Sequence, residues 1–173
     1  MRRRKDDGVT LLELLIVVAL LSIIAAFALR RLERARIAAN EASAISSLRS
    51  VAIAQDLFAR VCGAGNYATS LSILGAALPG AGQPLLSADL SSSDTPGKAG
   101  YVFGLGRGAG AEDGRPDCHG GTTTTRFYGT AVPQSLTMSG RRSFAVTTNH
   151  GIWQVAGAAA PTEPFGPPAA PIQ

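Results

Sequence analysis

Cysteine occurs only twice in the 173 residues, aromatic residues are 6% of the chain and charged residues 16%. Two cysteines with one adjacent histidine, Cys62, Cys118 and His119, lack the ligand spacing of a zinc site. A formal net charge of +4, with arginines scattered rather than interleaved with aromatics, argues against a nucleic-acid surface. Catalytic patterns are missing too: the two histidines, His119 and His150, sit in glycine-rich or turn contexts. No Ser-His-Asp order, acidic pair or phosphate loop stands out. The chain is also too short for a multidomain enzyme and has room for one domain with appendages. These absences point to a protein that is not an enzyme, with no cofactor and no metal.

What the sequence does have is concentrated at its start. Proline and glycine are absent from Val9 to Cys62, and residues Val9 to Leu29 form a run of 21 with one charge, Glu13. As a helix rising 1.5 Å per residue, that run crosses a hydrocarbon core of about 30 Å. Arg2, Arg3, Arg4 and Lys5 precede it, so the positive-inside rule keeps the N-terminus in the cytoplasm and exports everything after Leu29. Helical spacing continues through Ile45, Leu48, Val51, Ala52 and Phe58, which predicts one helix over 9–61, with its membrane-spanning part at 9–29. An ordinary secretory signal would instead be cut after the span, where Ala25 and Ala26 offer an imitation of a cleavage site. The charged helical run beyond them lacks a polar mature start.

A carboxylate inside an apolar span costs about 2.5–3.5 kcal/mol on insertion scales, so Glu13 needs a partner or a purpose. One alternative is that it snorkels to the cytoplasmic interface. Another comes from the whole run Gly8-Val9-Thr10-Leu11-Leu12-Glu13 followed by LLIVVALLSIIAA, which resembles the prepilin motif of type IV pilins and of type II secretion pseudopilins. The resemblance implies an eight-residue leader (1–8) removed by a prepilin peptidase after Gly8. It implies N-methylation of the new terminus at Val9, where the family usually has phenylalanine. Thr10, Leu11, Leu12 and Glu13 become assembly residues, with Glu13 pairing to the Val9 amine of a neighbouring subunit and setting axial register. Most relatives carry proline where this chain has Arg30; without it the helix is expected to run unbroken, with Arg30, Arg31 and Arg34 marking the exit from lipid.

Past Val61 the composition shifts to Gly, Ser, Thr and Pro with short β-prone runs, the pattern of a small sheet and its loops over 62–155. Strands are expected at Tyr101 to Leu105, Phe127 to Val132, Phe144 to Thr147 and Ile152 to Val155, the last two joined as a hairpin at Asn149-His150-Gly151. Gly104 to Gly106 reads as part of a flexible loop. In an exported, oxidising space Cys62 and Cys118 are expected to form a disulfide, with free thiols or a metal site including His119 as alternatives. The tail 156–173, with five prolines, is expected to be extended and mobile, without regular structure.

The fold class expected is α+β and type IV pilin-like, a long N-terminal helix packed on a small antiparallel sheet. The function implied is a structural subunit of a type IV pilus. Alternatives are a type II secretion pseudopilin and a membrane-tethered binding domain that never polymerises. Implied partners are copies of itself, prepilin peptidase, an inner-membrane assembly platform and membrane lipid, with no nucleic acid. The location would be the cytoplasmic membrane before assembly, then an extracellular pilus or a periplasmic pseudopilus.

Overall fold

The computed structural model describes residues 10–78 and 82–172, leaving aside the side chains of 27–29. It divides into two compact units, Met1–Arg36 and Ile37–Gln173. Helix α1, Leu11–Val61, begins in the first and ends in the second, without interruption at Arg30. Within the first unit α1 is apolar on every side and its described side chains are exposed. Within the second it buries one stripe, Ile37, Glu41, Ala44, Leu48, Val51, Gln55, Phe58 and Cys62. These positions alternate by four and three, so one side of the helix faces a core while Arg49, Ile53, Leu57 and Arg60 face outward.

The core opposite that stripe is a six-stranded antiparallel sheet. Two small elements precede it: the two-residue strand β1 (Tyr67–Ala68), then the short helices α2 (Leu71–Gly75) and α3 (Ala88–Ser91), which bury Leu71, Leu74 and Leu90. Strands β2 (Gly97–Lys98), β3 (Tyr101–Arg107), β4 (Thr123–Thr124), β5 (Phe127–Pro133), β6 (Arg142–Thr147), β7 (Ile152–Ala156) and β8 (Ala170–Pro171) follow. The sheet order is β2-β3-β5-β6-β7-β8, and β1 pairs separately with β4. All four expected strands are present, each one or two residues longer at one end, and the β6–β7 hairpin turns at His150 with φ 60°. The loop expected around Gly104–Gly106 is corrected: both glycines lie inside β3, paired with Thr130 and Tyr128.

Side-chain alternation places Phe127, Gly129 and Ala131 of β5 toward α1, and Phe144 and Val146 of β6 beside them. Tyr101, Phe103, Phe127, Phe144 and Phe58 are buried to within 1% exposure and form the bulk of the core. Each such aromatic contributes about 1.5–3 kcal/mol of burial free energy. Gly63 ends α1: its N–H donates to the Phe58 carbonyl at 2.7 Å, and a Cβ there would overlap the Asn66 carbonyl.

Gln55, fully buried on α1, fastens the β1–β4 ribbon to the core. Its Nε2 donates to the Ala68 carbonyl and its Oε1 accepts from the Ala68 N–H, both at 2.8 Å. Gln55→Leu keeps the volume and strands both backbone groups away from water, so unfolding titrations are expected to show a loss of about 3 kcal/mol.

Strand β6 is buried from Ser143 to Thr147, on both of its faces. Helix α1 covers one face, and the C-terminal segment after Ala156 covers the other. Ser143 Oγ donates to the Gly157 carbonyl at 2.7 Å, the Tyr128 hydroxyl donates to the Pro161 carbonyl, and the Phe165 ring stacks on Trp153 with centroids 4.9 Å apart. Glu163 Oε2 accepts from the Ala109 N–H at 2.6 Å. The segment then returns as β8, where Trp153 pairs with Pro171 and Ile172 N–H donates to the Ile152 carbonyl. The expectation of a mobile end without regular structure is corrected here: the segment is docked. Proline lacks a ladder donor, but an edge strand needs only part of the ladder, and Phe165 supplies an anchor.

Candidate processing and assembly site

Gly8 and Val9 lie outside the described residues. The described site opens at Thr10, one residue before α1. Thr10 Oγ1 accepts from the Glu13 N–H at 3.2 Å, and its carbonyl accepts from the Leu14 N–H at 3.1 Å. Thr10 is therefore the N-cap, and Glu13 is the third helical residue, where a negative charge meets the positive end of the helix dipole. The Thr-x-x-Glu spacing of a capping box was the signal in the sequence for this role.

Beyond this turn α1 presents Leu11, Leu12, Leu14, Leu15, Ile16, Val17, Val18, Leu20, Leu21, Ile23 and Ile24, each at least 47% exposed. A helix apolar all round is built for lipid or for other helices rather than for a protein–water boundary. By length and composition α1 is a candidate membrane span. Ser22 is the polar exception deep in the run, and its Oγ donates to the Val18 carbonyl at 2.7 Å, which removes the cost of an unpaired hydroxyl in lipid. Glu13 has no cation within ion-pair distance among the described residues.

Residues 3–29 match a family model described as the prokaryotic N-terminal methylation motif. The chain carries the prepilin motif of type IV pilins and pseudopilins. No curated protein and no solved structure matches the chain. The match covers the leader, the span and every residue from Gly8 to Glu13, and with the long helix on an antiparallel sheet it gives a type IV pilin-like architecture.

Cys62 and Cys118 are bonded to each other, with Cα atoms 4.8 Å apart. Cys118 N–H donates to the Cys62 carbonyl at 3.0 Å, so the bridge ties the end of α1 to the loop before β4. Asp117 closes that loop by accepting from the His119 and Gly121 N–H groups at 2.9 and 2.7 Å. The two sulfurs and a His119 ring nitrogen lie within 4.8 Å of one another, but sulfurs joined in a disulfide are not the thiolates a metal needs. At the far end of α1, His150 Nε2 meets Asp56 at 3.1 Å, and no hydroxyl or thiol completes a triad with them among the described residues.

One set of residues escaped the sequence reading. Glu41, nearly buried, accepts from the Arg141 N–H at 2.9 Å and from Arg142 Nε and an Arg142 terminal nitrogen at 2.9 and 2.5 Å. The Tyr101 hydroxyl donates to the Arg142 carbonyl at 2.9 Å, in space that a side chain at Gly140 would fill. The signal available was a lone carboxylate in the inward phase of α1, between Ile37 and Ala44. Arg142→Ala leaves a carboxylate at 8% exposure without its counter-charge, and melting curves are expected to show a loss of about 3 kcal/mol. Glu41→Gln leaves Arg142, at 42% exposure, able to reach water and is expected to cost about 1 kcal/mol.

Burial, and then the Glu41 carboxylate, push the Tyr101 hydroxyl from 10.0 up to about 12, with Arg142 opposing. A raised tyrosine pKa gives stability that is complete below pH 10 and is lost as pH rises toward about 12, because the unfolded chain ionises first. Tyr101→Phe is expected to flatten that part of the alkaline loss in pH-dependent melting.

Proposed function

We propose that this protein is a structural filament subunit of the type IV pilin class, made as a precursor, cut after Gly8 by prepilin peptidase, methylated at Val9 and polymerised through the first half of α1. The observation that carries the reading is Glu13. It is the one charge of the span, placed in the first turn of a helix that begins three residues beyond the cut. Cleavage creates the matching cation, an amine on Val9, and a neighbouring copy supplies it at the same depth. In lipid the all-apolar surface faces acyl chains; in a filament the same surface packs against copies of itself, and the sheet unit stays outside.

The docked C-terminal segment removes tail length as a reason to prefer a pilus to a pseudopilus. The reading therefore rests on polymerisation, which both share, and its partners are the peptidase, an inner-membrane assembly platform and other copies. Expression beside a complete assembly machinery tests it. Antibody against the sheet unit should label filaments sheared from the cell surface if the machine is a pilus, or a peptidase-dependent cross-linked ladder in the periplasm if it is a secretion pseudopilus. A protein that stays monomeric in the membrane under both conditions would overturn the reading.

A further inference from the structure

We propose that the β5–β6 loop is a membrane-contact loop in the unassembled subunit, with Leu136 and Met138 seated in the headgroup layer and Arg141 beside lipid phosphate. Outside α1, Leu136 and Met138 are the large apolar side chains exposed among the described residues, at 44% and 78%. They do not fall there by slackness. Ser139 N–H and Oγ both donate to the Ser135 carbonyl, Thr137 N–H donates to the Gly140 carbonyl, and Thr137 holds φ 72°. A β-branched residue pays strain in that conformation, and the result here is that the two apolar neighbours of Thr137 both face solvent.

The place of the loop identifies the occupant. Asn40 Nδ2 donates to the Ser139 carbonyl at 3.0 Å, and Glu41 takes the Arg141 N–H, so the loop is clamped to α1 at residues 40–41. Leu29, the last residue of the apolar run, precedes Asn40 by 11 positions of one helix, a path of about 17 Å. The headgroup layer takes up about 5–7 Å of that distance. No acidic side chain occurs from Pro133 to Arg142, Glu41 is occupied by Arg142, and the Arg141 side chain is exposed. An apolar pair flanked by a free cation is the composition of a shallow interfacial contact with anionic lipid.

The proposal rests on residues 9–29 spanning the bilayer, and the experiment separates the two. The full chain is reconstituted at low density in phosphatidylcholine–phosphatidylglycerol vesicles, with a fluorophore on Met138→Cys, on Asn149→Cys at the opposite end of the β6–β7 hairpin, or on Leu20→Cys. Nitroxides are placed at the headgroup or along the acyl chain. Headgroup nitroxide should quench residue 138 at least about twofold more than residue 149, and Arg141→Glu should reduce that quenching on anionic but not on neutral vesicles. Quenching at 20 with none at 138 overturns the proposal alone. No quenching at 20 by acyl-chain nitroxide overturns the span and the proposal together. Quenching at 138 that appears only at high protein density assigns the loop to contact between copies and also overturns it.

Discussion

Glu13→Leu is expected to leave the subunit in the membrane and to reduce filament yield by about 100-fold or more. The substitution removes the charge from the span and makes insertion easier by about 2.5–3.5 kcal/mol. Assembly loses the partner of the Val9 amine, and a buried charge left unpaired costs about 3–5 kcal/mol, which at 1.4 kcal/mol per tenfold corresponds to two orders of magnitude or more. The two effects have opposite signs, so membrane abundance and sheared filament yield should diverge. If Glu13 only snorkels to the interface, both should be unchanged. Thr10→Ala is a useful companion: it removes the cap that accepts the Glu13 N–H at a cost of about 1 kcal/mol, and its effect on assembly should be far smaller.

Reduction of the Cys62–Cys118 bond, or the double replacement by serine, is expected to destabilise the sheet unit by about 4 kcal/mol, from the chain entropy of a loop with a sequence separation of 56. For a unit of this size that corresponds to a fall in Tm of about 10–15 °C. The location of the bridge makes the loss local at first. It ties the last turn of α1 to the Asp117 loop, and through Thr123 and Thr124 to the β1–β4 ribbon. Hydrogen exchange after reduction should rise first in residues 112–126 and 62–68, while β5 and β6 keep their protection. Uniform exchange across the sheet would show that the bridge closes the whole unit instead.

Much of this was legible from residues because the physics is local. Glycine and proline are missing from Val9 to Cys62, so nothing stops α1, and Gly63 ends it where a side chain would strike Asn66. Strand β5 was legible because Phe127, Ala131 and their neighbours alternate between a core and a cover. The prepilin motif was legible because Gly8 and Glu13 are rare in that company. The remainder depends on contacts between distant positions. Two-residue strands such as β1 and β8 have no period to detect. Five prolines signal disorder unless a tryptophan far upstream offers Phe165 a surface, and Glu41 is an unremarkable helix residue until Arg142 is brought to it.

Intact mass and N-terminal sequencing of the protein extracted from membranes of peptidase-competent cells test the central claim most directly. The account predicts a chain that begins at Val9 and carries one methyl group on its amine. A chain that still begins at Met1, or one that begins after Ala26, would contradict it.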